Sequence, residues 1–344
     1  MRTIVCQQPG NMEMIETAPA SVGEHEVRVT IKRIGICGTD IHAYAGNQPF
    51  FAYPRVLGHE LSGEVAETGA GVTAVKAGDK VTIIPYMHCG TCVSCRSGKT
   101  NCCTQMRVLG VHIDGGMRES LVVPATHVLP VPHLSWEEAA IVEPLCIGAH
   151  AVRRARLQQQ ETVLVIGMGP IGLGVARFAK LQGAKVIAMD MSEERLAFCK
   201  QWDACDEIVL ASDQPKERIL ELNGQDLPTV VFDATGNKHS MSGAFDFVAH
   251  GGTLVYVGLV KDQIAFSDPD FHAKELTLMG SRNATRDDFS YVIDCMNEGK
   301  INSAAYISEI IPFTRFAKEH EELMKPNRGV IKSMITLDEE ECGK

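Results

Sequence analysis

The sequence has no excess of positive charge: 33 Lys and Arg stand against 43 Asp and Glu, a formal net charge of −10 at pH 7. That balance offers no electrostatic footing on nucleic acid or an anionic lipid surface, and neither partner is expected. No run approaches the ~18 consecutive apolar residues of a membrane span. The start, "MRTIVCQQPGNMEM", carries too short an apolar stretch for a secretory leader. A cytoplasmic protein is therefore expected. Internal repeats and low-complexity tracts are missing too. Cysteine is present, 12 in 344 residues, and in a reducing compartment cysteines are thiols or metal ligands more often than disulfides.

With 45% hydrophobic and 22% charged residues the composition is that of a soluble globular protein. The length exceeds what one ordinary core serves, which points to two domains. Residues 1–148 read as mostly β. In "EVRVTIKRIG", Val27, Val29 and Ile31 alternate with Arg28, Thr30 and Lys32, the pattern of a half-buried strand. From 149 the style changes. "TVLVIG", "KVIAMD", "TVVFDATG" and "GTLVYVG" are near-continuous β-branched runs, as in strands buried on both faces. Helical stretches intervene, so residues 149–281 are expected to form a doubly wound parallel α/β sheet of the Rossmann kind. Residues 282–344 are too few for a third domain and are expected to pack back on the first.

"VLVIGMGPIGLG" sets Gly167, Gly169 and Gly172 in the G-x-G-x-x-G spacing, with Pro170 and Ile171 inside it, directly after a strand and at the start of a helix. The first glycine permits the tight turn, the second a close approach of pyrophosphate, the third close helix–strand packing. Unpaired N–H groups at the helix start complement the phosphates. Asp190 ends the next strand, where a carboxylate accepts bonds from both ribose hydroxyls and repels a 2′-phosphate, favouring NAD over NADP. Arg195, on the following helix, is placed either along the adenine or toward a 2′-phosphate. Val257 and Leu259, beyond the strand in "GTLVYVG", complete the expected cofactor contacts.

"HCGTCVSCRSGKTNCC" places Cys89, Cys92, Cys95 and Cys103 in a C-x2-C-x2-C-x7-C pattern. Four thiolates on a short lobe close a tetrahedron around zinc and leave no open position, which makes the site structural. Cys102 is a spectator or exchanges with Cys103; a set of metal-free thiols is the plainer alternative. Zinc that reacts needs about three protein ligands. "GICGTDIHAY" offers Cys37, and "YPRVLGHE" offers His59 and Glu60.

C-G-T-D-x-H, G-H-E, the four-cysteine lobe and G-x-G-P-x-G, in that order along essentially the whole chain, resemble the zinc-dependent medium-chain dehydrogenases. The resemblance implies a GroES-like β-rich catalytic domain beside the Rossmann domain, two zinc ions per chain and NAD. It makes Cys37 and His59 ligands of a catalytic zinc, with Glu60 bound directly or close behind. In "VEPLCIGAH" Glu143 matches the sorbitol and threonine dehydrogenase branch, whereas Cys146 falls where the alcohol dehydrogenase branch carries a cysteine ligand; Glu143 is favoured. Asp40 would orient His59. Thr39 and His42 match positions that pass the substrate proton to water while hydride goes to the nicotinamide.

"HAYAGNQPFFAYPRVLGHE" and "GSRNATRDDF" are similar to bacterial sugar-acid dehydrogenases of the L-galactonate type. Tyr44, Asn47 and Phe50 follow the Cys37 segment and are expected to line a substrate pocket, and Arg282 to pair with a substrate carboxylate or with the cofactor, a solvated arginine being the plainer alternative. L-threonine or a sorbitol-type polyol is the alternative substrate, and a non-catalytic NAD sensor is the alternative of another class. A homodimer or homotetramer is expected by resemblance. One departure stands out: Asp203 takes the place where relatives usually end a helix with glycine.

Overall fold

A computed structural model describes residues 1–47, 51–325 and 329–338. They form two compact units, Met1–Glu143 with Thr285–Lys344, and Pro144–Ala284.

The first unit contributes strands β1 (Arg2–Gln8), β2 (Asn11–Glu16), β3 (Glu26–Gly35), β4 (Glu60–Thr68), β5 (Lys80–Ile83), β6 (Tyr86–Met87), β7 (Arg107–Val108), β8 (Ser120–Pro124) and β9 (Val128–Pro130). In the second unit lie β10 (Thr162–Ile166), β11 (Lys185–Asp190), β12 (Glu207–Leu210), β13 (Val230–Asp233), β14 (Thr253–Tyr256) and β15 (Thr277–Gly280). The chain then returns to the first unit with β16 (Ile307–Pro312) and β17 (Lys332–Thr336).

The main sheet of the first unit runs β16-β17-β3-β4-β5-β9, with β8 also paired to β3. Val27, Val29 and Ile31 are buried as their alternation predicts, and they join Ile34, Leu61, Val65 and Val81 in one core. Arg33 breaks the alternation. It is 1% exposed and held by Glu137 and Asp338 at 2.5 and 2.6 Å, because a buried guanidinium survives only when its donors are paired. The antiparallel pairing of β17 with β3 sets Met334 opposite Gly35 and brings Lys332 into the same layer.

The second unit is a doubly wound α/β sheet. Its six parallel strands take the order β12-β11-β10-β13-β14-β15, which numbered from β10 is the 3-2-1-4-5-6 arrangement of dinucleotide-binding sheets. Leu164, Ile166, Ile187, Met189, Val231 and Leu254 make its core. No helix among the described residues is long and apolar enough to cross a membrane.

Candidate active site

In the first unit, β3 ends at Gly35 and Cys37 caps the short helix α1 (Gly38–Tyr44). Asp40 binds this turn together: Oδ2 accepts from Cys37 N at 2.9 Å and Oδ1 from Gly58 N at 3.2 Å. Gly58 takes φ +89°, a left-handed turn that glycine tolerates, and delivers His59 and Glu60 to the same place. The candidate ligand atoms of Cys37, His59 and Glu60 lie within 4.8 Å of one another. Gly35 makes room for them: a Cβ there would stand 1.9 Å from Glu60 Oε2.

His59 Nδ1 is buried without a hydrogen-bond partner, and Asp40 Oδ1, expected to receive its proton, lies 3.8 Å away. At that distance it is an electrostatic neighbour, not a hydrogen bond, and the two Asp40 oxygens are turned to the backbone amides of Cys37 and Gly58. Burial works against a charged His59 ring, yet negative Asp40, Cys37 and Glu143 raise it well above the usual imidazole range. A pocket of thiol, imidazole and carboxylate that draws positive charge this strongly fits a divalent zinc ion.

Two side chains that carry no motif complete the group. Lys332, fully buried, donates to both Glu60 oxygens at 2.7 and 2.8 Å and to Ile36 O at 3.1 Å. Tyr86 donates its phenol to Glu143 Oε1. Glu143 sits mid-helix in α3, whose bounds in the chain are Trp136 and Ala155. Burial pushes its carboxyl up to about 7; Glu60 adds to this, while His59 and Tyr86 oppose it. Glu143 and, one turn further along, Cys146 are both buried and both outside the group of three.

Thr39 is half-buried in the first turn of α1 and His42 exposed in the last; three residues apart, they share a helix face. Tyr44, expected beside the substrate, donates to Gly10 O at 3.0 Å and packs edge-on against His320. Its hydroxyl secures α1 to the N-terminal hairpin. Asn47 is exposed, and Phe50 lies outside the described residues. In the second unit, Arg282 is exposed just after β15.

The four lobe cysteines Cys89, Cys92, Cys95 and Cys103 also gather within 4.8 Å. Backbone N–H groups of Cys89, Cys92 and Gln105 point at their sulfurs at 3.3–3.4 Å, the support a metal-bound thiolate needs. Cys102 is exposed and outside the set.

In the second unit, Gly167 turns at φ +92°, and a Cβ on Gly172 would stand 1.7 Å from Gly167 O. Gly169 faces open space and caps helix α4 (Pro170–Leu181), which begins with Pro170, Ile171 and Gly172. Asp190 closes β11; its oxygens accept from Met168 N at 2.5 Å and Ser192 N at 2.8 Å. Each oxygen keeps a further lone pair. Arg195 is half-buried on helix α5 (Glu193–Gln201). Val257 N donates to Asp233 O at 2.9 Å, and Leu259 is exposed. These positions cluster at the carboxyl ends of the parallel strands, where such sheets bind ligands.

Residues 23–133 match the model of the alcohol dehydrogenase GroES-like domain, and residues 170–298 that of the zinc-binding dehydrogenases. L-galactonate-5-dehydrogenase of Escherichia coli K12 is 44% identical over 337 residues, 98% of this chain and 99% of that one. The chain belongs to the zinc-binding dehydrogenases. A second member of this family, 2-dehydro-3-deoxy-L-galactonate 5-dehydrogenase of Pseudoalteromonas atlantica, is 32% identical over 83% of this chain and 84% of its own. Among solved structures, an alcohol dehydrogenase of Escherichia coli CFT073 complexed with NADH superposes with TM-score 0.91 at 31% identity, covering 98% and 99% of the two chains. As a zinc-binding dehydrogenase the protein is an oxidoreductase with zinc and NAD as cofactors.

Proposed function

We propose that the protein oxidises a secondary hydroxyl of a sugar acid of the L-galactonate type, passing hydride to NAD. The observation that carries this reading is the 44% identity, over 98% of the chain, to an L-galactonate-5-dehydrogenase. Cys37 and His59 hold the catalytic zinc, with Glu60 and Glu143 as the carboxylates that complete or back its shell. Cys89, Cys92, Cys95 and Cys103 hold a structural zinc. Zinc held there would supply a Lewis acid for the alcohol oxygen, and bound NAD would be the hydride acceptor. Thr39 Oγ1 receives the hydroxyl proton, and His42, exposed at the end of α1, releases it to water. Gly167, Gly169, Pro170, Ile171 and Gly172 cradle the pyrophosphate. Asp190 would accept from the adenosine ribose, Arg195 would meet the adenine side of the cofactor, and Val257 and Leu259 would contribute further cofactor contacts. Arg282 remains the choice for the substrate carboxylate.

A sensor built on this scaffold would have no need of an intact donor set, and the grouping of Cys37, His59 and Glu60 favours catalysis. Assembly into a homodimer or homotetramer is supported by β15, which among the described residues pairs only with β14 and exposes Leu278. A free edge of this kind invites a second strand. Each described cysteine is a free thiol, in keeping with the cytoplasm.

The test is a panel of aldonates, uncharged polyols and L-threonine with NAD, followed by NADH absorbance, with zinc measured on the same sample. Preference for aldonates and two zincs per chain are expected. Preference for an uncharged polyol or L-threonine would overturn the substrate, and one zinc per chain would overturn the open metal site.

A further inference from the structure

Lys332 makes an unusual commitment for a lysine. It is 2% exposed, and all three of its donors are spent: two on the oxygens of Glu60 and one on Ile36 O. Glu60 is itself fully buried, and its carboxylate is still within 4.8 Å of the candidate ligand atoms of Cys37 and His59. One carboxylate thus stands between two cations, the ammonium that holds it and the metal for which it is a candidate ligand.

We propose that Lys332 is a positioning residue that draws Glu60 away from the catalytic zinc, so that a coordination position stays available to the substrate. The inference rests on the metal reading given above. Two observations carry it. The first is the chelating geometry just described: both Glu60 oxygens face the ammonium, so a Glu60 that turns toward zinc weakens two charge-assisted bonds. The space left by Gly35, where a Cβ would meet Glu60 Oε2 at 1.9 Å, is what allows the carboxylate to lie against β3 in that pose. The second is charge. Cys37, Glu60, Glu143 and Asp40 set four acidic side chains about one buried site, more than a single divalent ion balances. Lys332 supplies positive charge against that excess, as a buried ion requires. Without it, the nearest cation left to Glu60 is the metal, and with Cys37, His59 and Glu143 on the ion Glu60 would be a fourth protein ligand, which converts an open zinc site into a closed one.

The test reads zinc release to an excess of chelator from the holoenzyme. The catalytic phase is defined as the one absent in Cys37→Ser. In Lys332→Met that phase is expected to slow more than threefold, because Glu60 becomes a ligand. In a Glu60→Gln background the same Lys332→Met change is expected to alter the phase by less than threefold, because no carboxylate is left to swing in. Replacement of zinc by cobalt gives a second readout, a changed visible absorption spectrum in Lys332→Met that is absent in the double variant. Release unchanged or faster in Lys332→Met, or slowed alike in both backgrounds, overturns the proposal. Should Lys332→Met not fold, Lys332→Gln, which keeps a donor and loses the charge, is read against the same thresholds. If Cys37→Ser removes no zinc phase at all, the metal reading itself falls, an outcome distinct from failure of the Lys332 role.

Discussion

Tyr86 and Glu143, 57 residues apart in the chain, share one buried hydrogen bond in which the phenol donates to the carboxylate. Both residues are 4% exposed, so water cannot replace the phenol if it is lost. Phe289 packs edge-on against the Tyr86 ring at 6.2 Å and fixes its direction. The pair therefore sets where Glu143 points in the site.

Tyr86→Phe keeps the packing and removes the donor. Leaving a buried carboxylate short of a partner costs about 1–3 kcal/mol. A lower unfolding midpoint in urea is expected, together with a roughly tenfold fall in kcat/KM, or about 1.4 kcal/mol of transition-state stabilisation. If both stay at wild-type values, Glu143 does not depend on Tyr86 for its orientation.

Gly35→Ala tests the other carboxylate. The added Cβ falls 1.9 Å from Glu60 Oε2 and 2.9 Å from Glu60 Cβ, so Glu60 has to leave its present pose. Displacing it strands Lys332, and breaking a buried ion pair from one side costs about 3–5 kcal/mol. Some of that is recovered as the side chain relaxes, and a loss of ~2 kcal/mol or more in urea unfolding is expected. A loss under ~0.5 kcal/mol, the range of ordinary surface changes, would mean that Glu60 has room which the structure does not reveal.

These two contacts also mark the limit of what the sequence discloses. The parallel strands of the second unit were legible because strands buried on both faces must be apolar throughout, and "TVLVIG" and "KVIAMD" meet that condition. The glycines of the dinucleotide turn and the four lobe cysteines were legible because their spacing is set by local geometry. Lys332 and Tyr86 were not. Each reaches the site from a strand far away in the chain and carries no local pattern, and a lysine near a chain's end reads as a solvated charge. Arg33 escaped for the same reason, since the polar position in "IKRIG" gives no hint of Glu137 and Asp338. The hydroxyl bond from Tyr44 to Gly10 was equally invisible, because nothing local in the sequence pairs the two.

Asp190→Asn examines the coenzyme preference. The amide keeps the size of the carboxylate and one acceptor oxygen, but it loses the charge that repels a 2′-phosphate and one of the two acceptors now used by Met168 N and Ser192 N. The ratio of kcat/KM for NADP to that for NAD is expected to rise tenfold or more, mainly through a higher KM for NAD. A ratio that holds within twofold would place the discrimination on another residue, with Arg195 the next to change.

Asp203 occupies φ +54°, a left-handed position after α5, where it closes the helix that glycine would ordinarily close. Two opposing effects act on it. A non-glycine residue there costs about 1–2 kcal/mol, less for aspartate than for most. Against this, its carboxylate pairs with Arg177 and Lys180, each at 2.8 Å, although at 69% side-chain exposure such pairs contribute about 0–1 kcal/mol in all. Asp203→Ala loses the pairs and keeps the strain, so it is expected to destabilise by ~1 kcal/mol. Asp203→Gly loses the pairs and sheds the strain, and should stay within ~0.5 kcal/mol of the wild type. The pH dependence has a fixed sign. Hydrogen bonds from Lys180 and Arg177 hold the Asp203 carboxyl below its ordinary 3.8, so the stabilisation is present above that value and fades as pH falls through the lowered one. The gap between wild type and Asp203→Ala in urea unfolding should therefore be constant from neutral pH to about 5 and narrow below 4. A gap that widens on acidification would rule out the ion pairs as its source.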